Sequence, residues 1–184
     1  MRYLFITFFI ISCSYEKYES SDQPPVAGEC VDGISTYTIN GEEVQFECNG
    51  FHLLGHVSLE QMNAESGNDC WGWTDPLTGK EYALMGLDIG SGIIDISDPF
   101  NPNYLGKIPT ATLSSTWRDI KVYKDHAFIV SEAAGHGMQI FDLSKLRDVT
   151  DAQEYQTDLL YEGYGHSHNI ATVSYTHLTL PTKA

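Results

Sequence analysis

Basic residues are scarce in this 184-residue chain, where 10 Lys and Arg face 25 Asp and Glu for a formal net charge of −15. A phosphate backbone would be repelled by such a surface, so no nucleic acid is expected as a partner. The same acidity suits a soluble exported protein. Charged residues of both signs together make up only 19% of the chain, and no long helical pattern appears. Short catalytic signatures are missing as well: there is no Gly-x-Ser-x-Gly elbow, no His-Glu-x-x-His, no Cys-x-x-Cys and no phosphate-binding loop. What remains is about one domain's length of sequence, rich in glycine and aromatics. That balance suits an all-β extracellular protein.

The longest apolar run near the start, Tyr3 to Ile11 behind Arg2, is too short to span a bilayer but suits the core of a secretory signal. It ends in Ile10-Ile11-Ser12-Cys13, which resembles a bacterial lipobox. That resemblance implies a lipoprotein signal peptide over residues 1–12 and acyl chains on Cys13, which becomes the new amino terminus. Two or more chains anchor a protein stably where one binds only marginally. An ordinary secretory signal with an incidental cysteine would export the chain equally. Residues 13–28 are polar, contain Ser and Pro, and read as a flexible tether. The expected location is the outer membrane or cell surface, with the membrane as partner through the lipid anchor.

Three further cysteines remain. Cys30 and Cys48 bracket two β-rich runs, "STYTI" and "EVQFE", on either side of Asn40-Gly41, a strong hairpin-turn signal. The hairpin brings the two cysteines together, and export makes a disulfide plausible. Cys70 is then a buried free thiol, or pairs with a partner outside this chain. Ser58-Leu59-Glu60-Gln61 has the form of a capping box and predicts a short helix within an entry segment over residues 29–67.

Two longer segments line up as copies over residues 68–172. "EYALMG" matches "DHAFIV" and "GIIDIS" matches "QIFDLS", with Asp95 equivalent to Asp142. Asp69, Asp119 and Asn169 follow one another at intervals of 50 residues, so a third copy begins at "HNIAT". Each copy reads as short strands rich in Ile, Val, Phe and Tyr, separated by Gly, Pro, Asp and Asn. Runs such as "YALMGL", "AFIVS" and "QIFDL" are nearly continuously apolar, which predicts sheets covered on both faces. Four-stranded sheets stacked around an axis meet that condition, and a period of about 40–50 residues is the one expected of propeller blades. The fold expected is therefore an all-β propeller, truncated to two blades and the start of a third.

The segments "NDCWGWTDPLTGKEYALMGLDIGSGIIDISDPFNPNYLGKIPT", "SSTWRDIKVYKDHAFIVSEAAGHGMQIFDLSKLRDV" and "GHSHNIA" resemble the choice-of-anchor B family of bacterial exported proteins, built on LVIVD-type propeller repeats. The likeness covers about residues 29–171. It implies a surface β-propeller with further blades beyond residue 172, and it supplies no activity. Residues 173–184 depart from everything before them. Val173 to Thr182 resembles the translation of a transposon-end sequencing adapter, so this tail is read as an artefact and His177 carries no chemistry.

Candidate chemistry is sparse. His166 and His168 lie two apart, which in a strand places both imidazoles on one face, able to share a divalent metal with ligands from other blades. Asp69, Asp119 and Asn169 fall near the start of each blade's inner strand, where they either line a polar channel mouth or bond to backbone N–H groups at strand ends. His136, between glycines, reads as an exposed loop histidine, with ligand contact as the alternative. Trp71, Trp73 and Trp117 either wedge between blades or stack on sugar. Asp95 and Asp142 read as turn caps, and Asp95, Asp98 and Asn101 are a weak calcium pattern.

Two function classes follow. One is a non-catalytic surface module that binds an extracellular protein or glycan; the other is a metal-dependent hydrolase with its site at the channel. Fold alone does not choose between them. The anchor is directly testable. Cys13→Ser is expected to shift the protein from the membrane to the soluble fraction, and equal membrane retention would discard the lipobox.

Overall fold

The computed structural model describes residues 28–39, 41–172 and 178–179; Cys13, the signal, nearly all of the tether, Asn40 and most of the tail lie outside the described residues. The described chain is all-β. Strands β1 (Cys30–Val31), β2 (Ile34–Ile39) and β3 (Glu42–Glu47) form a small antiparallel sheet in that order. A disulfide joins Cys30 to Cys48 with their Cα atoms 5.9 Å apart, beside a 2.9 Å bond from the Cys48 N–H to the Gly33 carbonyl. A closed loop of this size contributes roughly 3 kcal/mol in the chain-entropy picture.

The capping box forms reciprocally. Ser58 Oγ accepts from the Gln61 N–H at 3.1 Å, and Gln61 Oε1 accepts from the Ser58 N–H at 2.8 Å. It closes a turn rather than the expected helix, because Asn63 turns left-handed at φ 50° and breaks the run. The turn places Met62 under the next sheet.

The rest is built from two antiparallel meanders. The first comprises β4 (Gly67–Thr74), β5 (Glu81–Leu87), β6 (Gly90–Asp95) and β7 (Asn103–Pro109), each paired with the one before. The second comprises β8 (Arg118–Tyr123), β9 (His126–Ser131) and β10 (Met138–Asp142). Its chain then makes a 3-10 turn over Leu143–Leu146 and leaves the sheet. It forms β11 (Gln153–Glu154), parallel to β7 on the outer edge of the first meander, and returns as β12 (Leu159–Tyr161) beside β10. The last pairing is between β13 (Ala171–Thr172), which lies against β8, and β14 (Leu178–Thr179). Gly106 admits β11: its φ is 109°, and a Cβ there would sit 1.8 Å from the Gln153 carbonyl oxygen.

The apolar runs do cover two faces. Alternate residues of β5 separate, with Tyr82 and Leu84 facing the second meander while Ala83, Met85 and Leu87 face the entry segment. Likewise Ala127 and Ile129 of β9 join the layer between the meanders, and Phe128 and Val130 face away. That shared layer also holds Trp73 stacked on Tyr82 with ring centroids 5.2 Å apart, and Phe141 edge-on to Tyr155. Asp95 and Asp142 make the same turn in both copies, accepting from the N–H groups of Ser97 at 2.9 Å and Ser144 at 3.0 Å.

One ion pair closes the lower end of the layer. Asp75, fully buried after β4, receives both Nε and Nη2 of Arg147 at 2.9 and 2.8 Å, as well as the Thr78 hydroxyl and the Leu77 N–H. The bidentate guanidinium is the main cause that holds the Asp75 carboxyl well below the usual carboxylate range. A carboxyl depressed in the folded state stabilises above the unfolded value near pH 4, and that contribution is lost as pH falls through the lower folded value. The urea midpoint should therefore drop between pH 5 and pH 2 by more in the wild type than in Asp75→Asn; parallel curves would show that the pair does not couple to folding.

Candidate functional site

The upper ends of β4 and β8 carry the residues that the 50-residue interval singles out. Asp69 Oδ2 accepts from the Ile120 N–H at 2.9 Å, and Asp119 Oδ2 accepts from the Ile170 N–H at 2.7 Å. Each carboxylate thus binds the backbone one residue past its own equivalent in the next copy. Asn68, one position earlier, binds its own equivalent, with its Oδ1 accepting from the Arg118 N–H at 3.3 Å. Lys121 bridges the two acids: its ammonium contacts Asp119 Oδ1, lies 3.3 Å from Asp69 Oδ2, donates to the Ile120 carbonyl, and sits 4.5 Å over the Trp71 ring. Burial works to raise the Asp119 carboxyl, but side-chain hydrogen bonding with Asp69, then with Lys121, and the Ile170 N–H outweigh it and hold the group low.

These residues surround a polar pocket of about 280 Å³. Asp69, Asp119 and Asn169 all line it, together with Asn68, Trp117, Arg118 and His168. The acidic pair bonds to backbone N–H groups, and it also borders this cavity. The carboxylates differ in use: the Asp119 side chain is 6% exposed with both oxygens engaged, whereas that of Asp69 is 30% exposed and uses Oδ2 alone.

The two histidines behave otherwise than expected. No strand runs between Tyr161 and Ala171, so the alternation that would put His166 and His168 on one face does not operate there. His168 turns its Nδ1 to Glu132 Oε1 at 2.8 Å and tilts its ring against Trp117, while His166 is exposed and does not line the pocket. Among the described residues no three His, Cys, Asp or Glu side chains converge on a point that could hold a metal. The oxygens of the calcium pattern are engaged internally: Asp98 accepts from the Phe100 N–H and the Asn101 amide, and Asp95 pairs with Lys80.

Three more expectations need correction. His136 is fully buried, not exposed, because it is the partner of Arg118, itself only 1% exposed. The Arg118 guanidinium donates to the Leu87 carbonyl at 3.0 Å, to Thr110 Oγ1 at 3.1 Å and to His136 Nε2 at 2.9 Å. Since a guanidinium cannot accept, His136 must be the neutral tautomer with its proton on Nδ1, donated to the Gly137 carbonyl. Burial, then the adjacent cation, pushes the His136 imidazole down, and burial pushes Arg118 to about 10. Cys70 is exposed rather than buried, since it lies on β4, an edge strand, beside the open side of Met85. Of the three tryptophans only Trp73 wedges into the core; Trp71 and Trp117 remain 41% and 51% exposed.

Comparison with family models, curated proteins and solved structures finds no match to the chain.

Asp119→Ala is expected to cost on the order of 1.5–3 kcal/mol in urea denaturation, since it strips a charged acceptor from the Ile170 N–H. Asp119→Asn keeps an acceptor and should lose less; equal stability of all three proteins would remove the carboxylate from the account of the fold.

Proposed function

We propose that this chain is the opening part of an exported, surface-anchored β-propeller that serves as a non-catalytic binding module for an extracellular protein or glycan. The observation that carries the reading is the repeated bond from Asp69 to the Ile120 N–H and from Asp119 to the Ile170 N–H. It hands each inner strand on to the next at an interval of 50 residues, and Ile170 already occupies a buried position like that of Ile120. Successive four-stranded units with two apolar faces suit blades arranged around an axis. The far face of the second unit, with Phe128 and Ile140 half-buried and Leu159 and Tyr161 exposed, suits cover by a third blade. The resemblance to the choice-of-anchor B family points the same way, and the lipobox at Cys13 with its tether would hold the module at the cell surface. Inner strands that open onto a polar mouth offer a ligand-facing end. No specific observation favours the metal-dependent hydrolase.

Imaging of the intact gene product by electron microscopy tests the architecture: a closed ring is expected, and an open elongated stack would overturn it. The binding role is tested with the same protein, immobilised and probed with a panel of extracellular proteins and glycans. A ligand retained and released chemically unchanged supports the module; a ligand converted to product would reject it.

A further inference from the structure

The pocket at the upper ends of β4 and β8 has a composition that selects among ligands. The Lys121 ammonium sits between the Asp69 and Asp119 carboxylates, and the Arg118 guanidinium beneath is committed to Leu87, Thr110 and His136. A cationic ligand would have to displace Lys121. An anionic one would meet the exposed edge of Asp69 on a chain of net charge −15. The groups left over are neutral hydrogen-bonding ones. Among the described residues, the Asn68 amide N–H groups, the Trp117 indole N–H, His168 Nε2 and the Asn169 side-chain amide have no hydrogen-bond partner, and the Asp69 carboxylate beside them is 30% exposed. Donors and acceptors thus alternate around one small space. One wall is a large apolar surface, since the Trp117 ring is half exposed and its recorded ring neighbour is His168, with centroids 5.7 Å apart. The first copy has Gly67 at the equivalent position, so this indole is not part of the repeat's packing.

A ligand that fits must be uncharged, carry several hydroxyls around its rim and present a flat face of C–H groups. A pyranose ring meets all three conditions, because its axial C–H groups lie on an aromatic face while its equatorial hydroxyls reach carboxylate, amide and imidazole at the edge. A volume of 280 Å³ is at the small end of ligand cavities, which run from about 300 to 1,000 Å³, and so suits one sugar unit. We propose that this pocket is a carbohydrate subsite that receives a single neutral pyranose unit of an extracellular glycan, with Trp117 as the stacking surface and Asp69, Asn68, Asn169 and His168 as hydroxyl partners. The proposal rests on the binding-module reading and narrows its ligand. Asp119 is excluded from direct contact because both its oxygens are committed to Lys121 and the Ile170 N–H.

The test is a titration of the intact gene product with uncharged methyl pyranosides of gluco, galacto, manno and N-acetylglucosamine configuration. It is followed through the indole N–H resonances of the three tryptophans. At least one sugar should shift the Trp117 resonance saturably while that of Trp73 stays fixed. Trp117→Phe should weaken binding by a few-fold and Trp117→Ala by roughly tenfold, whereas Trp71→Ala leaves it unchanged. A Trp117 resonance that never moves overturns the sugar subsite, a result that needs no variant to fold. If none of the sugars binds but an extracellular protein does, and Trp117→Ala abolishes that contact, the sugar assignment fails and the binding module survives. If neither sugar nor protein binds, both readings fail. A response that appears only with added divalent cation and vanishes with chelator also overturns the proposal, because the pocket as argued supplies its own charges.

Discussion

The structure depends on a carboxylate that reaches across to the backbone of the next repeat. A four-stranded meander satisfies its interior N–H groups by itself, but the edge strand of each unit is left with donors that face its neighbour. Asp69 and Asp119 accept from these donors, and in doing so they fix how far one sheet is displaced relative to the other. The apolar layer between the meanders supplies most of the attraction, yet apolar contact is non-directional and would tolerate sliding. With Asp69 at one end of β4 and Asp75 just past the other, the layer is held at two points about 20 Å apart along the strand. Both points use an acid, the half-buried Asp69 against backbone and the fully buried Asp75 against Arg147.

That arrangement explains the character of the pocket. Lys121 sits where two acids from successive repeats converge, so one ammonium offsets part of the charge of both. The buried Arg118 and the neutral His136 beneath it add a rigid floor, because a guanidinium held at three points and an imidazole held at two have little freedom to move. Recognition at such a site falls to the side chains at its rim.

Much of this was legible in the sequence. The matched runs "YALMGL" and "AFIVS" reported sheets with two covered faces, because only burial on both sides removes the polar half of a strand's alternation. Asp95 and Asp142 read as turn caps, as each precedes a residue whose N–H can be reached locally. The interval from Asp69 to Asp119 to Asn169 located the pocket. What it could not report is depth. Arg118 looks like any strand-edge arginine, and nothing local shows that Thr110, Leu87 and His136 arrive from three other segments to receive it. The spacing of His166 and His168 has its same-face meaning only inside a strand, and none runs through that segment. Cys70 was misjudged because an average burial preference says nothing about which strand forms the edge.

The parallel pairing of β11 with β7 has a consequence for how such a protein can be cut or copied. The stretch that completes the outer edge of the first meander comes from the second repeat, and Gly106 is shaped to admit it. The unit that recurs in the sequence is therefore not the unit that folds. A genetic event that duplicated or deleted one whole repeat would leave every neighbour's border intact, because the clip travels with the copy. A break placed at the visible boundary between repeats would instead strip the preceding sheet of its hem.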